Sequence, residues 1–179
     1  MVLYIVHIVV MKFHETSFDD YLNAMKTDDY HKELHSIEDN LPNDKHRMGN
    51  LILYGPSGVG KYSQALKIIS KYSPSDLKYE KKMHLNSDKY NYSYKISDIH
   101  YEIDMSLLGC NAKLVWHELF LQIVDIGAMS SAKFGIILCK NFHHIHHELL
   151  PIFYSYMQQY NNPLLPFQIR YILSTEQVS

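Results

Sequence analysis

Arginine is almost missing from this chain. Of its 17 basic residues only Arg47 and Arg170 are arginines, a thin supply for bidentate phosphate recognition or for an arginine finger. Cysteine is scarce too. Cys110 and Cys139 have no metal-binding spacing, and two thiols in a chain of this length point to an intracellular, reducing compartment such as the nucleus or cytoplasm. Charge of one sign is missing as well: a net charge of −2 gives no broad basic field for nucleic acid. No apolar run is long enough for a bilayer. Met1 to Val10, interrupted by His7, is the nearest, but it is too short and lacks both a basic leader and a small-residue cleavage site, so no membrane partner is expected. A buried strand, or a stretch ahead of a natural start at Met11, is the expectation for it. What remains is an ordinary balance, 46% hydrophobic and 20% charged over 179 residues, enough for one domain with a real core.

One stretch stands out. Leu51-Ile52-Leu53-Tyr54 is followed by Gly55-Pro56-Ser57-Gly58-Val59-Gly60-Lys61, the G-x-x-x-x-G-K spacing of a phosphate-binding loop between a strand and a helix. Glycines let such a loop curl with its amides inward, the following helix aims its positive end at the anion, and the lysine reaches the β- and γ-phosphates. The next position is normally Ser or Thr, whose short hydroxyl ligates Mg²⁺. Here it is Tyr62, which carries its oxygen across a whole ring. Ser63 can still offer its amide and hydroxyl to an α-phosphate. The expected binding residues are therefore Gly55, Pro56, Ser57, Gly58, Val59, Gly60, Lys61, Tyr62 and Ser63, with ATP or ADP as ligand and Mg²⁺ weakly held or absent.

The rest of the chain alternates strands and helices, the pattern of a parallel α/β fold. Ser17-Phe18-Asp19-Asp20 starts a helix, and a second short helix carries Leu34 and Ile37. Ala65, Leu66, Ile68 and Ile69 form the buried side of the helix after the loop, which stops near Ser73-Pro74. Lys78 to Ser97, rich in Tyr and Lys, reads as an exposed excursion or hairpin, with base stacking as the less frequent alternative. Strands are expected over Ile99 to Asp104, Phe134 to Leu138 and Ile169 to Leu173. Asn111 is placed to cap a helix through Ile123, and His146 to Tyr160 forms another, with Pro151 in its first turn. Two regions follow: an extension over residues 1 to 50 and a phosphate-loop core over 51 to 179.

The strand Phe134 to Leu138 should end in the Asp that holds Mg²⁺ and, in hydrolases, an adjacent Glu. It runs instead into Cys139-Lys140-Asn141. Lys140 occupies the place of the catalytic acid and receives no role in binding; Asp104 and Asp125 are the alternative acids, on a different strand and after a helix. No catalytic residue is assigned. His143, His144, His146 and His147 are four of twelve histidines. A metal reading would use His143, His147 and Glu148, but a third well-placed ligand is lacking and an exposed polar loop is preferred, so no metal site is assigned.

Leu51 to Lys61, then Ile136 to Cys139 and Arg170 to Thr175, resemble the AAA+ core of sliding-clamp loader small subunits, the replication factor C family. The likeness is nearest to the end subunit, whose catalytic motifs are degenerate. Ile99 to Ser106 with Gly109 is similar to that subunit's second strand and turn, Lys113 to Val124 to its next helix, and Leu149 to Tyr160 to the long helix after the degenerate Walker B strand. Clamp-loader-like proteins of large DNA viruses are similar as well, which adds a viral replication site to the compartments. The resemblance covers about Ser36 onward. It implies a P-loop NTPase fold of the AAA+/RecA-like kind, a parallel sheet flanked by helices with strand order 5-1-4-3-2, cut before the fifth strand, lid and collar. It places the sensor-1 Asn at Glu176 and the Ser-Arg-Cys finger beyond Ser179. The implied partners are other clamp-loader subunits, the sliding clamp and, through the assembly, primer-template DNA in replication.

The expectation is thus a nucleotide-binding clamp-loader-like subunit without efficient hydrolysis. Two alternatives stand beside it. One is a nucleotide kinase of guanylate-kinase type, which would need mobile arginines. The other is an interaction module whose loop binds nothing. With no fifth strand, the strand entering the loop is expected to be an apolar edge, covered by Met1 to Val10 or by self-association.

Overall fold

A computed structural model describes residues 16–27, 31–87, 89–162 and 164–177. The Met1 to Val10 run lies outside them. Six strands form one sheet in the order β1-β6-β5-β4-β3-β2: β1 (Leu51–Tyr54), β2 (Lys81–Ser87), β3 (Tyr90–Ile96), β4 (His100–Asp104), β5 (Phe134–Lys140) and β6 (Gln168–Thr175). The four strands β1, β6, β5 and β4 are parallel neighbours. β3 pairs antiparallel with β4 and β2 with β3. The sheet is therefore mixed rather than wholly parallel.

Helices cover both faces. On one side lie α1 (Phe18–Thr27) and α3 (Lys61–Ser70), on the other α4 (Ala112–Met129) and α5 (Leu150–Gln159); the short α2 (His35–Asn40) precedes β1. Strand alternation sorts the residues between the faces. Ile136 and Leu138 of β5 and Ile172 of β6 pack with Ala65, Leu66 and Ile69 of α3 and with Phe18 and Met48. Ile137 and Cys139, with Tyr171 and Leu173, pack with Val115, Trp116, Leu119 and Ile123 of α4 and Phe153 of α5. Each such side chain, fully buried, contributes roughly 1.5–3 kcal/mol of transfer free energy. Phe18 and Met48 thus belong to the same core as residues after 50.

Local signals explain the element ends. The Asp20 carboxylate accepts from the Ser17 amide at 2.9 Å while the Ser17 hydroxyl accepts from the Asp20 amide at 3.2 Å, a reciprocal cap that starts α1. Pro151 falls in the first turn of α5, where a missing amide is harmless. That helix begins at Leu150, later than His146, and α3 ends at Ser70, before Ser73. Asn111 precedes α4 without capping it by its side chain; its Nδ2 donates to the Lys89 carbonyl at 3.4 Å.

The Tyr- and Lys-rich segment is a hairpin, but it is not an exposed excursion. Tyr92, Tyr94 and Ile96 face inward and are buried. The Tyr92 hydroxyl donates to the Asp104 carbonyl at 3.1 Å and accepts from its amide at 2.8 Å; the Tyr94 hydroxyl donates to Gln122 at 2.8 Å. Those rings close the sheet onto α4 and are not offered to bases. At the opposite end β1 is an edge among the described residues, with Ile52 68% and Tyr54 62% exposed.

Candidate functional site

The loop between β1 and α3 is anchored at both ends. The Gly55 amide donates to the Thr175 carbonyl at 3.2 Å, tying the loop to the end of β6. Gly58 and Gly60 take φ of +76° and +86°, the left-handed region that glycine enters without strain. Helix α3 starts at Lys61 with no side-chain cap, so its first-turn amides and its positive dipole end are left facing the cavity. Lys61 lies across the loop, its Nζ donating to the carbonyls of Gly55 at 2.7 Å and Pro56 at 2.6 Å.

Two cavities meet at Lys61. One, of about 600 Å³, is polar and lined by Ser57, Gly58, Gly60, Tyr62, Ser63 and the far ends of the strands. The other, of about 410 Å³, is mostly apolar and lined by His31, Leu34, Ile37, Leu41, Val59 and Ile68 among others. The alternation that builds the core also builds the polar cavity. On β4 the stripe His100-Glu102-Asp104 faces the α3 side; on β5 it is Ile136-Leu138-Lys140, and from β6 it runs Ile172, Ser174, Glu176. Register sets Asp104 opposite Lys140. Cys139 faces the α4 side, fully buried, and burial pushes its thiol well above its ordinary value. It therefore does not line the polar cavity. Lys140 does.

Around Lys140 the charges are tightly arranged. Its Nζ lies 3.5 Å from Glu102 Oε2 and 5.3 Å from the centre of the Tyr62 ring. The Tyr62 hydroxyl is hydrogen-bonded to the Glu102 carboxylate. Burial, and then that carboxylate, raise the phenol far above its usual value, so it stays a donor. The Tyr21 ring meets the Tyr62 ring edge-on at 4.8 Å. Glu102 is buried, and burial alone would favour its neutral form. The hydrogen bond and field of His100, the Lys140 ammonium and the Tyr62 hydroxyl outweigh this and hold its carboxyl below the ordinary range.

Asp104 lines the same cavity and is already engaged, mainly through Oδ1. Its Oδ1 accepts from the Ser106 amide at 3.0 Å, the Ser106 hydroxyl at 2.6 Å and Asn141 Nδ2 at 3.0 Å, and its Oδ2 accepts from the same Nδ2 at 3.1 Å. These residues do not fit Mg²⁺. The position that should carry a short hydroxyl carries a phenol committed to Glu102, a lysine stands where a carboxylate should, and among the described residues no group of three His, Cys, Asp or Glu could hold a metal.

Compared with protein-family models and with curated proteins, the chain matches none. Its chemistry is therefore read from the site itself.

The nine residues expected at the site come together as one loop and the start of α3, except that the Tyr62 side chain turns to Glu102. Glu176 lines the polar cavity, and its backbone amide donates to His143 Nδ1 at 3.2 Å. Asp125 is exposed on α4, away from the site. His143 and His147 line one further cavity, but Glu148 pairs instead with Lys113 at 2.7 Å, and the helix expected to align the two histidines begins only at Leu150. The residue that sequence reasoning missed is Glu102. Its signal was present, a carboxylate two positions from Asp104 and two from His100 in the same strand, and hence on the same face.

Proposed function

We propose that this chain binds ATP or ADP as a structural ligand, in the manner of a clamp-loader-like AAA+ subunit that takes part in a DNA replication assembly without efficient hydrolysis. The observation that carries the reading is the glycine loop closing onto the uncapped start of α3 with Lys61 laid across it, which presents amides, a helix dipole and an ammonium to one anion. The apolar cavity beside it suits a base, and the polar cavity, about 600 Å³, is within the range of small-ligand sites. The order β1-β6-β5-β4 is the 1-4-3-2 run that the resemblance implies, which supports the AAA+ assignment. Weak hydrolysis is in keeping with the carboxylates: Glu102 is engaged by His100, Lys140 and Tyr62, and Asp104 by Ser106 and Asn141, so both are drawn into contacts within the protein.

The kinase alternative is weakened by the arginines. Arg170 is buried, its guanidinium donating to the carbonyls of Met48 at 2.6 Å, Ile169 at 3.1 Å and His46 at 3.2 Å. Arg47 is exposed in the turn Lys45–Arg47 and lines neither cavity. The test is to identify any nucleotide that copurifies, and then to measure ATP turnover with and without GMP. ATP or ADP should copurify, binding should be lost in Lys61→Ala, and turnover should be negligible in both assays. GMP-dependent turnover would instead establish the kinase, and an empty protein indifferent to Lys61→Ala would leave an interaction module.

A further inference from the structure

The site carries a fixed cation where a divalent metal would be expected. We infer that Lys140, held between Glu102 and the ring of Tyr62, takes the place of Mg²⁺ at the terminal phosphates and makes di- and triphosphate nucleotide binding independent of metal. This rests on the nucleotide-binding reading above and adds to it the identity of the counter-charge.

Three relationships support it. Lys140 stands on the phosphate side of β5 by strand alternation, opposite Asp104 in the register, and lines the same cavity as Ser57, Gly58, Gly60 and Lys61. Its ammonium is positioned without being consumed. The Glu102 oxygen is 3.5 Å away, long for a charge-assisted contact, and the side chain keeps 34% of its surface exposed. The aromatic face beneath it is a further attraction that fixes the ammonium without using up its hydrogen-bond donors.

Tyr62 completes the substitution. By donating to Glu102 it removes the hydroxyl from the place of a metal ligand and helps keep Glu102 ionised as the partner of Lys140. A phosphate in this cavity would meet two of the ammonium groups that line it, those of Lys61 and Lys140. Lys95 also lines the cavity, but its Nζ is 2.7 Å from Glu80, a close ion pair.

The test is isothermal titration of the full chain with ATP, ADP and AMP, in Mg²⁺ and in EDTA, for the native protein, Lys140→Met, Lys140→Arg and Lys61→Ala. The native chain should bind ATP with affinities that differ by less than about threefold between Mg²⁺ and EDTA. Lys140→Met should lose about tenfold or more in ATP affinity in EDTA while AMP affinity hardly moves, because only the terminal phosphates lose a charged partner. Lys140→Arg should restore most of the loss. A native affinity for ATP that falls about a hundredfold on chelation, or a Lys140→Met protein that still prefers ATP over AMP as the native one does, would overturn the inference and leave nucleotide binding standing. If no nucleotide binds with or without Mg²⁺, the nucleotide-binding reading itself falls. Should Lys140→Met fold poorly, Lys140→Gln takes its place with the same expected loss for ATP and not AMP, and the native metal dependence still decides whether a metal is needed.

Discussion

The Nε2 of His31 lies 2.6 Å from the carbonyl oxygen of Val59, and its Nδ1 lies 3.0 Å from Glu33. A residue ahead of the first strand thus holds the glycine loop from outside, against the carbonyl that precedes its last glycine. His31→Ala should release this clamp. With one of its anchors lost, the loop should cost about 1 kcal/mol more to fix around the proposed nucleotide, or roughly fivefold in affinity. Titration of the variant checks this, and an unchanged affinity would mean that the loop holds its shape alone.

Glu102 sets an acid limit on stability. Its folded carboxyl lies below the ordinary range, so the folded state holds this proton less tightly than the unfolded chain. The stabilisation is whole above the unfolded value of about 4.3 and disappears as the pH falls through the lower folded value. Melting temperature followed from neutral pH downward should show the native chain losing stability across that window. Glu102→Gln should start about 2 kcal/mol less stable at neutral pH, roughly 4–8 °C lower in Tm, and lose less on acidification. Parallel curves would show that another group governs the acid limb.

Gly127 lies inside α4, where alanine is ordinarily the better residue by about 1 kcal/mol. Here the Phe167 ring is packed against it, and a Cβ would sit 2.1 Å from Phe167 Cζ. The same ring leaves only 2.8 Å to a Cβ on Gly135 of β5, and Phe167 is itself buried, so it has nowhere to swing. Gly127→Ala should therefore destabilise by about 1–3 kcal/mol despite its better helix propensity. A rise in Tm would refute the packing argument.

Ile52 offers the opposite contrast. Its exposed side chain on edge strand β1 makes Ile52→Lys nearly neutral for stability, within about 0.5 kcal/mol. The added charge should suppress strand-to-strand association. Light scattering over a concentration series would check it, and association unchanged by the lysine would show that this edge is not the contact.

The sequence announced some of this and concealed the rest for identifiable reasons. Glycine spacing and the flanking apolar runs located the loop, and β1 falls on Leu51–Tyr54 as its pattern requires. The all-buried run of β5 reads directly as a strand covered on both faces. The hairpin misled because tyrosine is at home both in cores and on surfaces; only pairing with β4 decides which edge of β3 faces α4. Lys140 misled for a different reason. Counted along the chain, it is a misplaced charge after a strand. Its meaning depends on Glu102, 38 residues earlier, and such a pairing becomes visible only when two strands are laid side by side.

The two thiols divide the molecule's chemistry in a useful way. Cys110 is exposed, while Cys139 is wholly enclosed in the middle of the sheet with a strand on either side of it. A thiol reagent should therefore modify Cys110 promptly and reach Cys139 only when the central strands part, an event that requires opening of the whole unit. The chain carries its own clock: with reagent in such excess that labelling outpaces reclosing, the delay between first and second label measures the lifetime of the folded state, and a ligand that binds only the folded state would lengthen it.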